Sequence, residues 1–322
     1  MKSRPEGSGR RAPYEARYPG ALLEPDRMSE RCDGEAQSPF MLSVPDLAGS
    51  GVVFSSPHSG RAYFESFVNS SRLSLHELRA SEDAFVDCLF GCAAEFGAPL
   101  LAAIAPRAFV DLNRCPSDLD PSLLAGAGRR PSNARVAAGL GVVPRIVAEG
   151  VSIYDGKISL DQAMDRIRDW HQPYHQKLVE LLEAARIRFG KALLIDCHSM
   201  PSAAVAQSRS RGAPVDVVLG DRFGASCGDG IVDEIEKAFI ESGFRVERNA
   251  PFAGGYITER FGQPSVGVHA VQIEIDRGLY LDQSRVSPND DFESVMLRLR
   301  PVIRRICDLV GGSSRPTQLA AE

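Results

Sequence analysis

Residues 192–201 read Ala192-Leu193-Leu194-Ile195-Asp196-Cys197-His198-Ser199-Met200-Pro201, and this stretch decides the fold. Four apolar residues run directly into an acid and an imidazole, and a proline closes the segment. So short an uninterrupted apolar run suits a strand covered on both faces, as in a largely parallel sheet with helical connections. The two-residue period of a strand puts Asp196 and His198 on one face. Open sheets of this kind bind ligands beyond the carboxyl ends of their strands, so chemistry is expected at the polar end of this stretch.

Further strands are predicted at Gly51–Ser56 (GVVFSS), Leu100–Ala105, Phe109–Leu112, Val215–Leu219 and Val271–Ile275. Amphipathic stretches at 82–96, 160–188, 229–242 and 291–309 predict helices; the third carries Ile231, Ile235 and Phe239 above a charged opposite face. Pro173 and Pro301 are expected to kink or split their helices. The alternation is that of βα units. Residues 1–38, rich in Arg, Pro, Gly and Glu without apolar periodicity, predict a flexible tail. A single domain is expected over 39–312, followed by a C-terminal tail at 313–322.

The chain has 322 residues, 43% of them hydrophobic and 25% charged, enough for one large α/β core. Its net charge of -5 is spread over interspersed charges of both signs, which argues against a nucleic-acid partner. No apolar stretch approaches the roughly 20 residues that span a bilayer, and no apolar signal core opens the chain, so a soluble cytoplasmic protein is expected. The seven cysteines, without a CxxC pair, suggest reduced thiols.

The strand GVVFSS leads into Pro57-His58-Ser59-Gly60, an imidazole on a turn whose glycine permits close backbone approach. Two imidazoles at strand ends with carboxylates nearby are the material of a catalytic zinc site, which takes three protein ligands and leaves one position to water. The segment Ser81–Asp87 (SEDAFVD) reads as a helix start with Ser81 as N-cap and with Asp83 and Asp87 on one face. Its acids suit a helix N-terminus on dipole grounds alone, and a lone histidine after a strand is more often a hydrogen-bonded loop residue.

In Val271–Arg277 the residues Gln272, Glu274 and Asp276 share one face of an otherwise apolar strand. Charges there are costly unless paired or functional. Glu274 fits a general base beside an activated water; the alternative is an ion pair with an arginine such as Arg277. The run Ala108–Arg114 ends in Asn113-Arg114, suited to carboxylate recognition. Gly254 and Gly255 precede Tyr256 in a loop that can bring N–H groups to an anion. Both stretches also read as ordinary turns.

In chain order, PHSG, SEDAFVD, FVDLNR, YDGKIS, WHQPYH, LLIDCHSMP, DVVLGDRFGASC, APFAGGYI and QIEIDRGLYLD resemble the N-formylglutamate amidohydrolase family over about residues 40–300. The family is similar in fold to zinc-dependent exopeptidases. The resemblance therefore implies a three-layer α/β/α sandwich around a mixed, largely parallel sheet. It implies a divalent metal, expected to be Zn2+, and a small N-acyl amino acid as substrate. The reaction implied is hydrolysis of N-formyl-L-glutamate to formate and glutamate, a step of histidine degradation. Carried over residue by residue, His58 and His198 match metal ligands and Glu274 the general base. Arg114, with Asn113, Arg277 and the Gly254-Gly255-Tyr256 loop, would hold the substrate carboxylates. Carboxypeptidases carry a glutamate three residues after the first histidine, where this chain has Arg61. The carboxylate ligand is thus expected elsewhere, at Asp83 ahead of Glu82 and Asp87. Competing expectations are a hydrolase of formimidoyl or longer N-acyl substrates, a carboxypeptidase-like peptidase, and a silent metabolite-binding relative. Cys197 as a nucleophile with His198 as base is disfavoured, because adjacent strand residues point to opposite faces.

Overall fold

A computed structural model describes residues 38–126, 133–147, 150–206 and 214–311. The expected tails lie outside these residues, apart from residue 38. Seven strands form the main sheet: β1 (Phe40–Ser43), β2 (Val52–Ser56), β3 (Leu100–Ala103), β4 (Ala192–Met200), β5 (Val217–Gly220), β6 (Val246–Arg248) and β7 (Val268–Asp276). Their order is β1-β3-β2-β4-β7-β5-β6. The central strands β3, β2, β4 and β7 run parallel, while β1 and β5 join antiparallel to β3 and β7. The principal helices are α1 (Val86–Leu89), α2 (Leu160–Arg166), α3 (Gln172–Phe189), α4 (Asp229–Glu241), α5 (Tyr256–Phe261) and α6 (Phe292–Leu309).

The strand period divides the apolar side chains between two cores. Val52, Phe54, Leu193, Ile195, Val271 and Ile273 pack with α4 and α6 through Val232, Ile235, Leu299 and Ile303. Val53, Leu101, Leu194 and Ala270 face the other way, onto Tyr174, Leu178 and Leu182 of α3 and Ile257 of α5. Helices thus cover both faces, and the architecture is a three-layer α/β/α sandwich with a mixed, largely parallel sheet. Among the described residues no helix is long and apolar enough to cross a membrane.

Three expectations are corrected. Phe109–Leu112 is not a strand. Its backbone is satisfied locally instead: the Phe109 and Val110 N–H groups donate to Pro106 O, and the Asp111 N–H donates to Val142 O. The first helix begins at Val86, not at 82, because Phe85 takes a left-handed conformation (φ 62°). Ser81 does not cap it; its hydroxyl donates to Leu78 O. The break expected at Pro173 in the 160–188 helix falls earlier, as a π turn at Ile167–His171, and Pro173 follows in the first turn of α3, where a missing N–H costs least. Pro301 stays inside α6.

The even-numbered residues of β4 and β7 place polar groups on the α3 face. Asp196 pairs in register with Gln272, and His198 with Glu274. β2 last pairs with β4 at Ser55↔Asp196, so β4 runs on past it into open space at the carboxyl end of the sheet. The loops after β2 and β3 close around that opening.

Candidate active site

His58, Asp83 and His198 converge at this end, all buried, with one ligand-type atom of each lying within 4.8 Å of the others. Asp83 Oδ2 stands 2.9 Å from His198 Nδ1 and 3.3 Å from His58 Nδ1. The opposite ring nitrogens face other carboxylates: His58 Nε2 is 2.7 Å from Asp111 Oδ1, and His198 Nε2 is 3.0 Å from Asp196 Oδ2. With Nε2–H donated to these carboxylates, both Nδ1 atoms would turn their lone pairs inward, as the rings of metal-holding histidines do when an acid fixes the opposite nitrogen. His58 Nδ1 is buried and has no hydrogen-bond partner among the described residues. Two imidazole nitrogens and one carboxylate oxygen so close together are a donor set that could hold a metal ion.

Local chain geometry sets these positions. Gly60 passes against the loop after β3, where a Cβ would overlap the Ala105 carbonyl. The Asp83 N–H donates to His58 O at 3.0 Å, tying two of the segments together. The field suits a cation. Burial by itself disfavours a charged imidazole, yet Asp196, Asp83 and Glu274 hold His198 well above its ordinary value. Burial likewise opposes ionisation of Asp83, but the two imidazoles hold its carboxyl well below the usual carboxylate range.

The neighbouring acids are committed elsewhere. Glu82 accepts from Tyr63 Oη (2.7 Å) and Arg79 Nε (3.0 Å). Asp87 takes both arms of Arg61, at 3.1 and 3.0 Å. Of the three acids, Asp83 alone reaches the imidazoles.

Glu274 lies beside His198 across the β4–β7 ladder and accepts from Gln272 Nε2 at 2.7 Å. Burial pushes its carboxyl up to about 7; Asp83 adds to this, while His198, Arg107 and Arg277 oppose it. Such a group exchanges a proton near neutral pH.

His58, Asp83, His198 and Glu274 line a cavity of about 650 Å³ together with Arg107, Arg114, Arg277, Asn113, Gly254 and Gly255. The expected substrate residues divide within it. Arg277 donates to Asp83 Oδ1 (2.8 Å), Ser199 Oγ (3.2 Å) and Ala80 O (3.3 Å), so it orients Asp83. Asn113 is also structural here: its Oδ1 accepts the Ile257 N–H at 2.8 Å, and its Nδ2 lies 3.4 Å from Asp196 Oδ2. Tyr256 does not line the cavity. Its ring packs against His171 and His175, with centroids 6.1 and 5.4 Å away.

Sequence reasoning missed Arg107 and Asp111, both in the turns after β3. It also assigned no role to His171 and His175. Their Nε2 atoms meet the carbonyls of Arg114 (2.9 Å) and Leu112 (2.8 Å), holding the chain on both sides of Asn113. Their i, i+4 spacing around Pro173 was the available signal.

A buried carboxyl held near neutrality beside three donors that could hold a metal, at the carboxyl end of an α/β sheet, is equipment that suits a hydrolase. A family model described as N-formylglutamate amidohydrolase matches residues 50–281, and the chain belongs to that family. It is accordingly a hydrolase acting on a non-peptide C–N bond. A protein named N-formylglutamate deformylase from Pseudomonas aeruginosa is 31% identical over 235 residues, 72% of this chain and 82% of that protein. One from Pseudomonas putida is 29% identical over the same shares of the two chains. The crystal structure of N-formylglutamate amidohydrolase from Ralstonia eutropha JMP134 superposes with a TM-score of 0.80 at 34% identity, covering 85% of this chain and 99% of that one. Gene product Atu2144 from Agrobacterium tumefaciens is alike in fold, with a TM-score of 0.58 at 16% identity, covering 85% of this chain and 97% of its own.

Proposed function

We propose that the protein hydrolyses N-formyl-L-glutamate to formate and glutamate, with a divalent metal, zinc by its donor set, held by His58, Asp83 and His198. The observation that carries this is the pair of imidazoles with Nε2 tied to Asp111 and Asp196 and Nδ1 turned toward Asp83. When bound, such an ion acidifies water and polarises a carbonyl oxygen. Glu274 takes the proton from the attacking water and returns it to the departing nitrogen, a role suited to a carboxyl near neutrality. Arg107 keeps its Nε on Asp111 at 3.0 Å, which leaves its terminal amino groups to stabilise charge developing on the amide oxygen. Arg277 orients Asp83, and Arg114 contributes to a cationic wall that favours a carboxylate-bearing substrate.

The test is formate release from N-formyl-L-glutamate before and after exhaustive chelation, with zinc added back. Activity should vanish on chelation and return with about one equivalent of zinc, as expected for a three-ligand site. Undiminished activity in the chelated protein removes the metal from the reading; absence of formate removes the substrate.

A further inference from the structure

Four guanidinium groups line the cavity, those of Arg107, Arg114, Arg135 and Arg277. Three are held by protein acceptors. Arg107 Nε donates to Asp111 (3.0 Å), Arg114 donates to the carbonyls of Leu140 (3.0 Å) and Asn113 (2.9 Å), and Arg277 is spent on Asp83, Ser199 and Ala80. Arg135 makes no side-chain hydrogen bond or ion pair with any described residue, and it is exposed at the cavity edge.

The segment that presents Arg135 is fixed. Asn133 caps the short helix Ala134–Ala137 by accepting the Val136 N–H at 2.9 Å, and its Nδ2 donates to Asp118 (2.9 Å). Arg145 ties the same helix down, with Nε on Asp120 (2.8 Å) and Nη2 on Ala137 O (3.4 Å). The Arg135 carbonyl accepts the Leu140 N–H, and the Leu140 carbonyl accepts Arg114 Nε, so the two arginines belong to one patch. They interact: Arg114 is held below its ordinary value by burial, with repulsion from Arg107 and Arg135 adding to it and Asp111 opposing. Cations gathered at a partly desolvated wall are costly until an anion joins them. Burial orders them by depth, since Arg114 is 8% exposed and Arg135 lies at the rim. The carboxylate farthest from the scissile amide therefore falls to Arg135.

We propose that Arg135 is a specificity-determining residue that pairs with the side-chain carboxylate of an N-acyl dicarboxylic amino acid, so that acidic substrates are preferred over neutral isosteres. This rests on the amidohydrolase reading above. The test compares kcat/KM for N-formyl-L-glutamate and N-formyl-L-glutamine in the wild type, Arg135→Ala and Arg135→Lys. The wild type should prefer the glutamate substrate, and Arg135→Ala should lower the ratio of the two kcat/KM values by about 10-fold, as for loss of one charge-assisted hydrogen bond. The change should lie in KM, with partial return in Arg135→Lys. A preference that survives in Arg135→Ala, or a wild type indifferent to the substitution of amide for acid, overturns the assignment and leaves the amidohydrolase reading standing. A wild type that releases formate from neither substrate overturns that reading and this one with it.

Discussion

Gly255 and Asn113 form a pair whose coupling can be worked out before measurement. Gly255 has φ -107°, a conformation open to any residue, so alanine there carries no backbone penalty. Its added Cβ, however, would lie 2.5, 2.6 and 2.7 Å from Asn113 Nδ2, Oδ1 and Cγ. Asn113 must then move, which adds about 2 kcal/mol of overpacking to about 2 kcal/mol for the stranded Ile257 N–H. Asn113→Ala alone strands the same N–H, at about 2 kcal/mol, but removes all three clashing atoms. The double variant should therefore cost no more than Asn113→Ala, about 4 kcal/mol less than the sum of the singles. Urea unfolding at constant m-value measures this. The kcat of the double variant should likewise match that of Asn113→Ala. Additivity within about 0.5 kcal/mol would refute the argument, because independent sites behave that way.

Glu274→Gln should lower kcat by about 10²- to 10⁴-fold, the usual worth of a positioned base. The active form of Glu274 is the carboxylate, so kcat/KM should fall as pH drops. Burial raises the carboxyl from 4.5 to about 7, and a nearby cation pulls it back, so the acid limb of the metal-loaded enzyme should lie between those values and be lost in Glu274→Gln. A flat profile across that range in the wild type counts against the assigned base. Asp111→Asn keeps an acceptor oxygen for His58 Nε2 but removes its charge, and should weaken metal binding by about 10- to 100-fold in competition with a chromogenic chelator. An unchanged dissociation constant would show that Asp111 does not support the ligand.

Much of the fold was legible because β2, β4 and β7 are short apolar runs that helices cover on both sides. Strand parity then put Asp196, His198 and Glu274 on one face, and the register of β4 and β7 places them there. Two features lay beyond local periodicity. Asp111 sits in FVDLNR, whose apolar alternation mimics a strand, and its contact with His58 spans 53 positions along the chain. The choice among Glu82, Asp83 and Asp87 goes with the left-handed turn at Phe85, which delays α1, and with the Asp83 N–H held on the His58 carbonyl. No helical spacing encodes that turn.

Charge explains why so many distant residues meet here. The carboxyls of Asp83, Asp111, Asp196 and Glu274 are all buried, and among the described residues only Arg107 and Arg277 place guanidinium hydrogen bonds on any of them. Arg114 adds a 3.9 Å ion pair to Asp111, which Arg107 already holds, whereas Asp196 and Glu274 receive no guanidinium contact among the described residues. Beside the histidines these two acids leave a local deficit of up to two positive charges, which a buried site does not tolerate without proton uptake or a counterion. Two imidazolium rings could fill it, and that is the direction in which these carboxylates already drive His198. A single dication fills the same deficit while leaving both imidazoles neutral and free to donate their Nδ1 lone pairs. The acids that hold the histidines in place are thus also the charge that would retain the metal, so neutralising any one of them should loosen the ion as well as the ring it orients.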